Sequence, residues 1–180
     1  MSSIVLRKLQ KADAENLRVL LKDGTISRFT FVPHPYYRRH AEVFIRQTQT
    51  WARLRRGYHF GIELNETRRI IGVVAIFRID TIHRSAELGC WLGQPYWRQG
   101  LMTEAMKTVI RFGFRELHLE RIYAHVFVEN VASQRMVERC GLQCEGLLRH
   151  RHRRRGRWHD SFLYAILRGE FRMRQHAVST

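Results

Sequence analysis

The stretch Gln94-Pro95-Tyr96-Trp97-Arg98-Gln99-Gly100-Leu101-Met102-Thr103-Glu104-Ala105 joins the end of a strand-like run to the start of an amphipathic pattern through one glycine. A loop that turns at a glycine into a long helix leaves several backbone N–H groups without acceptors. It aims them at one point, at the positive end of the helix dipole. That geometry binds phosphate. The same glycine could do no more than ease a tight loop, and spacing alone leaves both readings open.

Two other clusters carry reactive residue types. Cys140 and Cys144 stand near His150 and His152, which invites a zinc reading. The spacing matches no established finger and Cys140 falls at a helix end, so no metal is expected. The run Arg149-His150-Arg151-His152-Arg153-Arg154-Arg155-Gly156-Arg157 is the one strongly biased tract. It reads either as a surface that contacts an acidic protein or ribosomal RNA, or as a solvated, self-repelling hairpin tip. Aromatic interleaving of the kind that stacks bases is thin, since only Trp158 follows.

The elements that must position these groups follow from periodicity. Ile4 to Leu9 predicts a short strand and Ala12 to Asp23 a helix ended by Asp23-Gly24. Residues 24–36, with Pro33 and Pro35, read as irregular. Tyr37, Ala41, Phe44, Ile45, Thr48 and Trp51 recur at helical spacing up to a stop at Gly57. Alternation from Tyr58 to Leu64, a turn at residues 65–68 and the run Ile70 to Ile79 predict an antiparallel hairpin, followed by a strand from Arg84 to Leu92. Leu101, Met102, Ala105, Met106, Val109, Ile110, Gly113, Phe114 and Leu117 follow a 3.6-residue period, and Glu120 to Val128 reads as the next strand. Strand, helix, strand over that length is a parallel crossover. A short helix from Ala132 to Cys140 ends at Gly141, and strands over 142–153 and 157–167 close the order βααβββαβαββ. Hairpins with one parallel crossover argue a mixed sheet flanked by helices, in the α+β or α/β class.

Composition narrows the functional classes. The chain has 180 residues, 44% hydrophobic and 27% charged, enough to bury a core in one domain spanning 1–180 and too apolar for a wholly disordered chain. Thirty-two Lys and Arg against sixteen Asp and Glu give a formal charge of +16, a field that attracts polyanions or acidic surfaces and repels polycations. Only Lys8, Lys11, Lys22 and Lys107 are lysines, so the lean toward arginine reflects genome composition as readily as a partner. Three cysteines make no paired framework and favour free thiols in a reducing cytoplasm. The longest apolar run, Ile70 to Phe77, is far too short to cross a bilayer, and the N-terminus has no long apolar stretch after a basic start. A cytoplasmic protein without a membrane segment is the expectation.

Further segments carry a family resemblance. Gly100 matches the central glycine of the Q/R-x-x-G-x-G/A acetyl-CoA loop of the GCN5-related N-acetyltransferases (GNAT), although Trp97 and Met102 stand where Gln or Arg and a small residue are usual. Ala86-Glu87-Leu88-Gly89-Cys90-Trp91-Leu92 resembles the A-E-I-G-Y-W-L strand of the RimJ/RimL-like branch, which acetylates ribosomal-protein N-termini. Asn130-Val131-Ala132-Ser133, then Arg139-Cys140-Gly141-Leu142 and Glu145-Gly146, resembles that branch's N-x-x-S … x-x-G-F … E-G signature, and Trp158-His159-Asp160 its closing W-x-D strand.

The resemblance implies a mostly antiparallel seven-stranded sheet, splayed between strands 4 and 5 and flanked by about four helices. It also implies acetyl transfer from acetyl-CoA to an amine. The amides of Arg98, Gln99, Gly100, Leu101, Met102 and Thr103 would hold the pyrophosphate, with Trp97 as a groove wall. Cys90, Trp91 and Leu92 would flank the pantetheine. Glu87 would be the catalytic base, the alternative being a strand carboxylate paired with an arginine. Asn130 and Ser133 would contact the cofactor near its sulfur, while Asn130 also suits a helix cap. The position where many members carry a thiolate-protonating tyrosine is Val137, which leaves Ser133 or solvent for that role. His34, Tyr36 and Tyr37 would either shape the acceptor mouth or pack. The implied acceptor is a protein N-terminal α-amine, with a small-molecule amine or an inactive ribosome- or nucleic-acid-binding module as alternatives, in a monomer or homodimer.

Overall fold

The computed structural model describes residues 3–22 and 24–171. Asp23, half of the expected stop for the first helix, lies outside them. Seven strands, β1 (Ile4–Lys8), β2 (Gly57–Leu64), β3 (Ile70–Asp80), β4 (Ser85–Leu92), β5 (Arg121–Phe127), β6 (Gln143–Arg154) and β7 (Arg157–Leu167), form one sheet in the order β1-β2-β3-β4-β5-β7-β6. Helices α1 (Ala14–Leu20), α2 (Arg38–Arg53), α3 (Leu101–Arg115) and α4 (Val131–Arg139) complete the order read from the chain. The chain packs as two compact units, one of residues up to Arg78 with Gly89–Val109, the other of Ile79–Leu88 with residues from Ile110 onward.

In the first unit, β1–β2 and β2–β3 pair antiparallel. Leu9, Leu17, Leu21, Tyr36, Ala41, Ile45, Ile70 and Val73 form a buried cluster, against which Phe44 and Trp91 pack. Tyr36 is therefore a packing residue. The first helical pattern starts as a 3-10 turn over Lys11–Asp13 before α1. Arg7 locks that turn by donating from both terminal nitrogens to Asp13 at 2.8 Å while its Nε bonds Glu63 of β2. Arg68 Nε lies 3.0 Å from the other Glu63 oxygen, so two guanidiniums balance the two carboxylates.

In the second unit, β5 pairs antiparallel with β7 along its whole length, from Arg121↔Leu167 to Phe127↔Ser161. Within this unit β5 also pairs parallel with β4, Ser85↔Arg121, Ala86↔Ile122 and Glu87↔Tyr123. Arg168 ties the last turn of α3 to this unit, donating to the carbonyls of Phe114 at 2.6 Å and Leu119 at 2.9 Å.

Candidate active site

Around Gly100 the first unit builds a loop of backbone donors. Gly100 sits at φ +78° and Arg98 at φ +61°, left-handed conformations of the kind that gather successive N–H groups into an anion-holding concavity. The Glu104 N–H donates to the Gly100 carbonyl at 3.1 Å, and the amides of Leu101 and Met102 precede that bond in the first turn, where a helix supplies no acceptor of its own. Leu101 and Met102 bury their side chains, which leaves their backbone as the part that can meet a ligand. No atom lies within 4 Å of where a Gly100 Cβ would sit, and the loop residues Arg98 and Gln99 are exposed. A donor-lined turn with clear space above its glycine, at the positive end of a fifteen-residue helix, fits a pyrophosphate.

The same unit fixes the loop to the strand before it. The Trp97 indole N–H donates to the Leu92 carbonyl at 2.7 Å, and the Gln99 side-chain amide donates to the Pro95 carbonyl at 3.1 Å. Trp97 is 42% exposed, so one edge of its ring holds the turn and the rest faces outward. Along β4, Leu92 is buried, Trp91 is half-buried against the α1–α2 cluster, and the half-buried Cys90 thiol lies 3.9 Å from the Met106 sulfur of α3.

In the second unit Glu87 stands at the last rung of the parallel ladder, with a side chain only 10% exposed. One partner comes from β5. Nδ1 of His125, two residues along β5 from Tyr123, lies 3.1 Å from the Glu87 Oε1, and the His125 side chain is 7% exposed. Sequence reading missed His125. The available signal was the alternation on β5, which sets Tyr123, His125 and Phe127 on one face opposite the buried Ile122, Ala124 and Val126. Which of Tyr123, His125 and Phe127 meets Glu87 depends on the β4–β5 register.

On α4, Asn130 is the helix cap: its Oδ1 accepts from the Ser133 N–H at 3.2 Å. Gln134 ties the helix start to β5 by donating to the carbonyls of Phe127 and Val128. Ser133 is half-buried in the first turn, and Val137 is 2% exposed in the core. No hydroxyl stands at that position. The Arg/His-rich run occupies the β6–β7 hairpin, with Arg149, Arg151, Arg153, Arg155 and Arg157 exposed and Trp158 stacked on His150. Cys90, Cys140 and Cys144 are unbridged, and among the described residues no group of His, Cys, Asp and Glu is placed to hold a metal ion. No described helix is long and apolar enough to cross a membrane.

Comparison with known proteins agrees with this geometry. Residues 3–143 match the family model described as an acetyltransferase (GNAT) domain. The Bacillus subtilis (strain 168) protein YoaA, named an uncharacterized N-acetyltransferase, is 32% identical over 168 residues, spanning 92% of this chain and 93% of its own. A Vibrio cholerae protein provisionally described as a ribosomal-protein-serine acetyltransferase superposes with a TM-score of 0.80 at 28% identity, covering 93% of this chain and 95% of that one. The Vibrio cholerae spermidine N-acetyltransferase, solved with CoA and spermine, superposes with a TM-score of 0.81 at 26% identity, covering 95% of this chain and 99% of that one. The chain belongs to the GNAT family and is an acetyl-CoA-dependent acetyltransferase that acts on amines.

Proposed function

We propose that the acceptor is the α-amine of a protein N-terminus, of the class that ribosomal proteins present, and that Glu87 is the base that frees it for attack. The observation that carries the reading is a buried carboxylate at the last rung of the β4–β5 ladder, hydrogen-bonded to an imidazole. An amine attacks a thioester only as the free base, so a nearby group must accept its proton. An α-amine has a reference pKa of about 7.7–8.0 and a lysine about 10.4, so one carboxylate suffices near neutral pH for the first and poorly serves the second.

In this reading the amides of residues 98–103 hold the pyrophosphate, Arg98 adds a charge-assisted contact, and Cys90, Trp91 and Leu92 flank the pantetheine. Asn130 orders the start of α4, and the family resemblance assigns Asn130 and Ser133 to contacts near the cofactor's sulfur. Ser133 or water returns a proton to the leaving thiolate, since Val137 has none to give. Acetyl-CoA supplies the activated acyl group, and the chain supplies its placement, backbone donors for the oxyanion and the proton acceptor.

Charge favours a protein acceptor over a polyamine. The spermidine enzyme among the relatives shows that this fold can take one. Here the hairpin of the second unit carries exposed arginines, which repel a polycation and recruit an acidic protein surface. A thiol-release assay with acetyl-CoA against peptides with free N-termini, the same peptides N-blocked with an internal Lys, and spermidine separates the readings. Release with the free N-termini alone is the expected result. Turnover of spermidine or of the blocked peptides at the higher kcat/KM would overturn the acceptor assignment.

A further inference from the structure

The Arg/His-rich run takes no part in the chemistry assigned above. Residues 149–157 hold six arginines, two histidines and no carboxylate. Arg149, Arg151, Arg153 and Arg157 are exposed on the β6–β7 hairpin. Partial burial and the charge of Arg155 push the Arg154 guanidinium below its ordinary pKa, a sign that cations crowd there. Such crowding costs the isolated chain free energy that a bound anion recovers. Asp160 accepts from the His150 N–H at 2.7 Å, Glu129 faces His159 at 3.6 Å and Glu145 pairs with Arg121, so these carboxylates of the second unit are engaged with other groups.

Trp158 adjoins the run in sequence, and the fold gives it two neighbours. A turn with Arg155 at φ +46° and Gly156 at φ +78° sets Arg153 opposite Trp158, and the guanidinium lies 5.9 Å from the centre of the indole. The register then shifts between Leu148 and His152, where His150 takes φ +50° and the Asp160 carboxylate fixes its backbone N–H. The His150 ring stacks on Trp158 with centroids 5.9 Å apart and planes 19° from parallel. Both rings belong to exposed residues, Trp158 with 55% of its surface open. Flat faces and cations are thus offered together.

We infer that the β6–β7 hairpin docks single-stranded nucleic acid, its arginines on the phosphates and the Trp158–His150 pair stacking a base. Charge alone draws any polyanion, including an acidic protein. The open rings are what favour unpaired bases, because an acidic peptide brings no base and a duplex hides its base faces. This surface lies wholly within the second unit, and its role does not depend on which amine is acetylated or on Glu87.

The test uses the full chain and fluorescence anisotropy across a salt series with labelled probes of about twelve units: an RNA strand, the DNA strand of the same sequence, the DNA duplex, and polyglutamate. The single strands should bind most tightly, and the stronger of RNA and DNA identifies the source. Trp158→Ala should weaken single-strand binding by about five- to a hundredfold at an unchanged salt slope. Trp158→Phe should keep most of that affinity, and neither variant should alter duplex binding. Arg149→Ala combined with Arg151→Ala should weaken every probe and lower the salt slope by about two. Melting curves without probe show that each variant is folded. Polyglutamate bound as tightly as the strands would make an acidic protein the occupant, and wild-type binding by Trp158→Ala would leave charge as the whole attraction. Either result overturns the proposal, as does the absence of binding to every probe.

Discussion

Burying Glu87 takes a carboxylate out of water, and the imidazole at 3.1 Å is one of the polar groups that meet it there. His59 of β2 has no such partner. Its ring is walled by Trp51, Phe44 and Phe77 at 5.0, 5.7 and 6.0 Å, its Nδ1 is buried without a hydrogen bond, and burial pushes its pKa from 6.5 down to about 4. The folded state therefore resists protonation that the unfolded chain accepts. Stability is full above pH 6.5 and is lost as the pH falls toward 4, by up to about 3 kcal/mol at about 1.4 kcal/mol per unit. His59→Phe should flatten that acid limb in urea melts at pH 7 and pH 4.5. Parallel pH dependences for variant and wild type would show that His59 does not set the limb. Gly100 tests the other half of the site. A valine there meets no neighbouring atom but must hold φ near +78°, at about 1–2 kcal/mol of strain. The loop should relax away from its amide-presenting form, with CoA affinity lost in calorimetry and the fold retained. An affinity within twofold of wild type would remove the phosphate role from this turn.

At the scale of elements, the β3–β4 pairing of the first unit depends on one absent side chain. A Cβ on Gly72 would lie 2.5 Å from the Trp91 carbonyl oxygen and 3.0 Å from the Leu92 Cα, backbone atoms that cannot rotate aside. The Gly93 N–H bond to the Ile71 carbonyl at 2.8 Å shows how closely the two strands run. Gly72→Ala should cost about 1–3 kcal/mol, read as a melting temperature lower by about 2–4 °C per kcal/mol. A variant that melts with the wild type would mean the strands separate there at no cost. Periodicity read the elements well, because Tyr58 to Leu64 alternate and Leu101 to Phe114 recur locally. It placed helix ends less well: α3 stops at Arg115, two residues before Leu117, and α2 stops at Arg53, before the Gly57 that begins β2. Those ends are set by packing and by the strand that follows, which a periodic pattern does not contain.

For the whole molecule, the charge of +16 makes nonspecific attraction to polyanions a background that any binding test must separate from the site. CoA at about a hundred times its Kd should stabilise the chain by about 2.7 kcal/mol. The shift should persist at 0.5 M NaCl to the extent that backbone amides rather than surface arginines hold the pyrophosphate, whereas binding to a mixed RNA probe should fall steeply. A CoA shift that vanishes at high salt together with RNA binding would assign both to the arginine surface. What the chain alone determined was the order of its elements, the glycine turn into α3 and the carboxylate on β4, since each is written in residues close together in sequence. The tertiary structure decided that Glu87 meets His125, 38 positions away, and that the His125 ring packs on His152. Those meetings depend on strand register, and a shift of one residue would turn His125 to the opposite face.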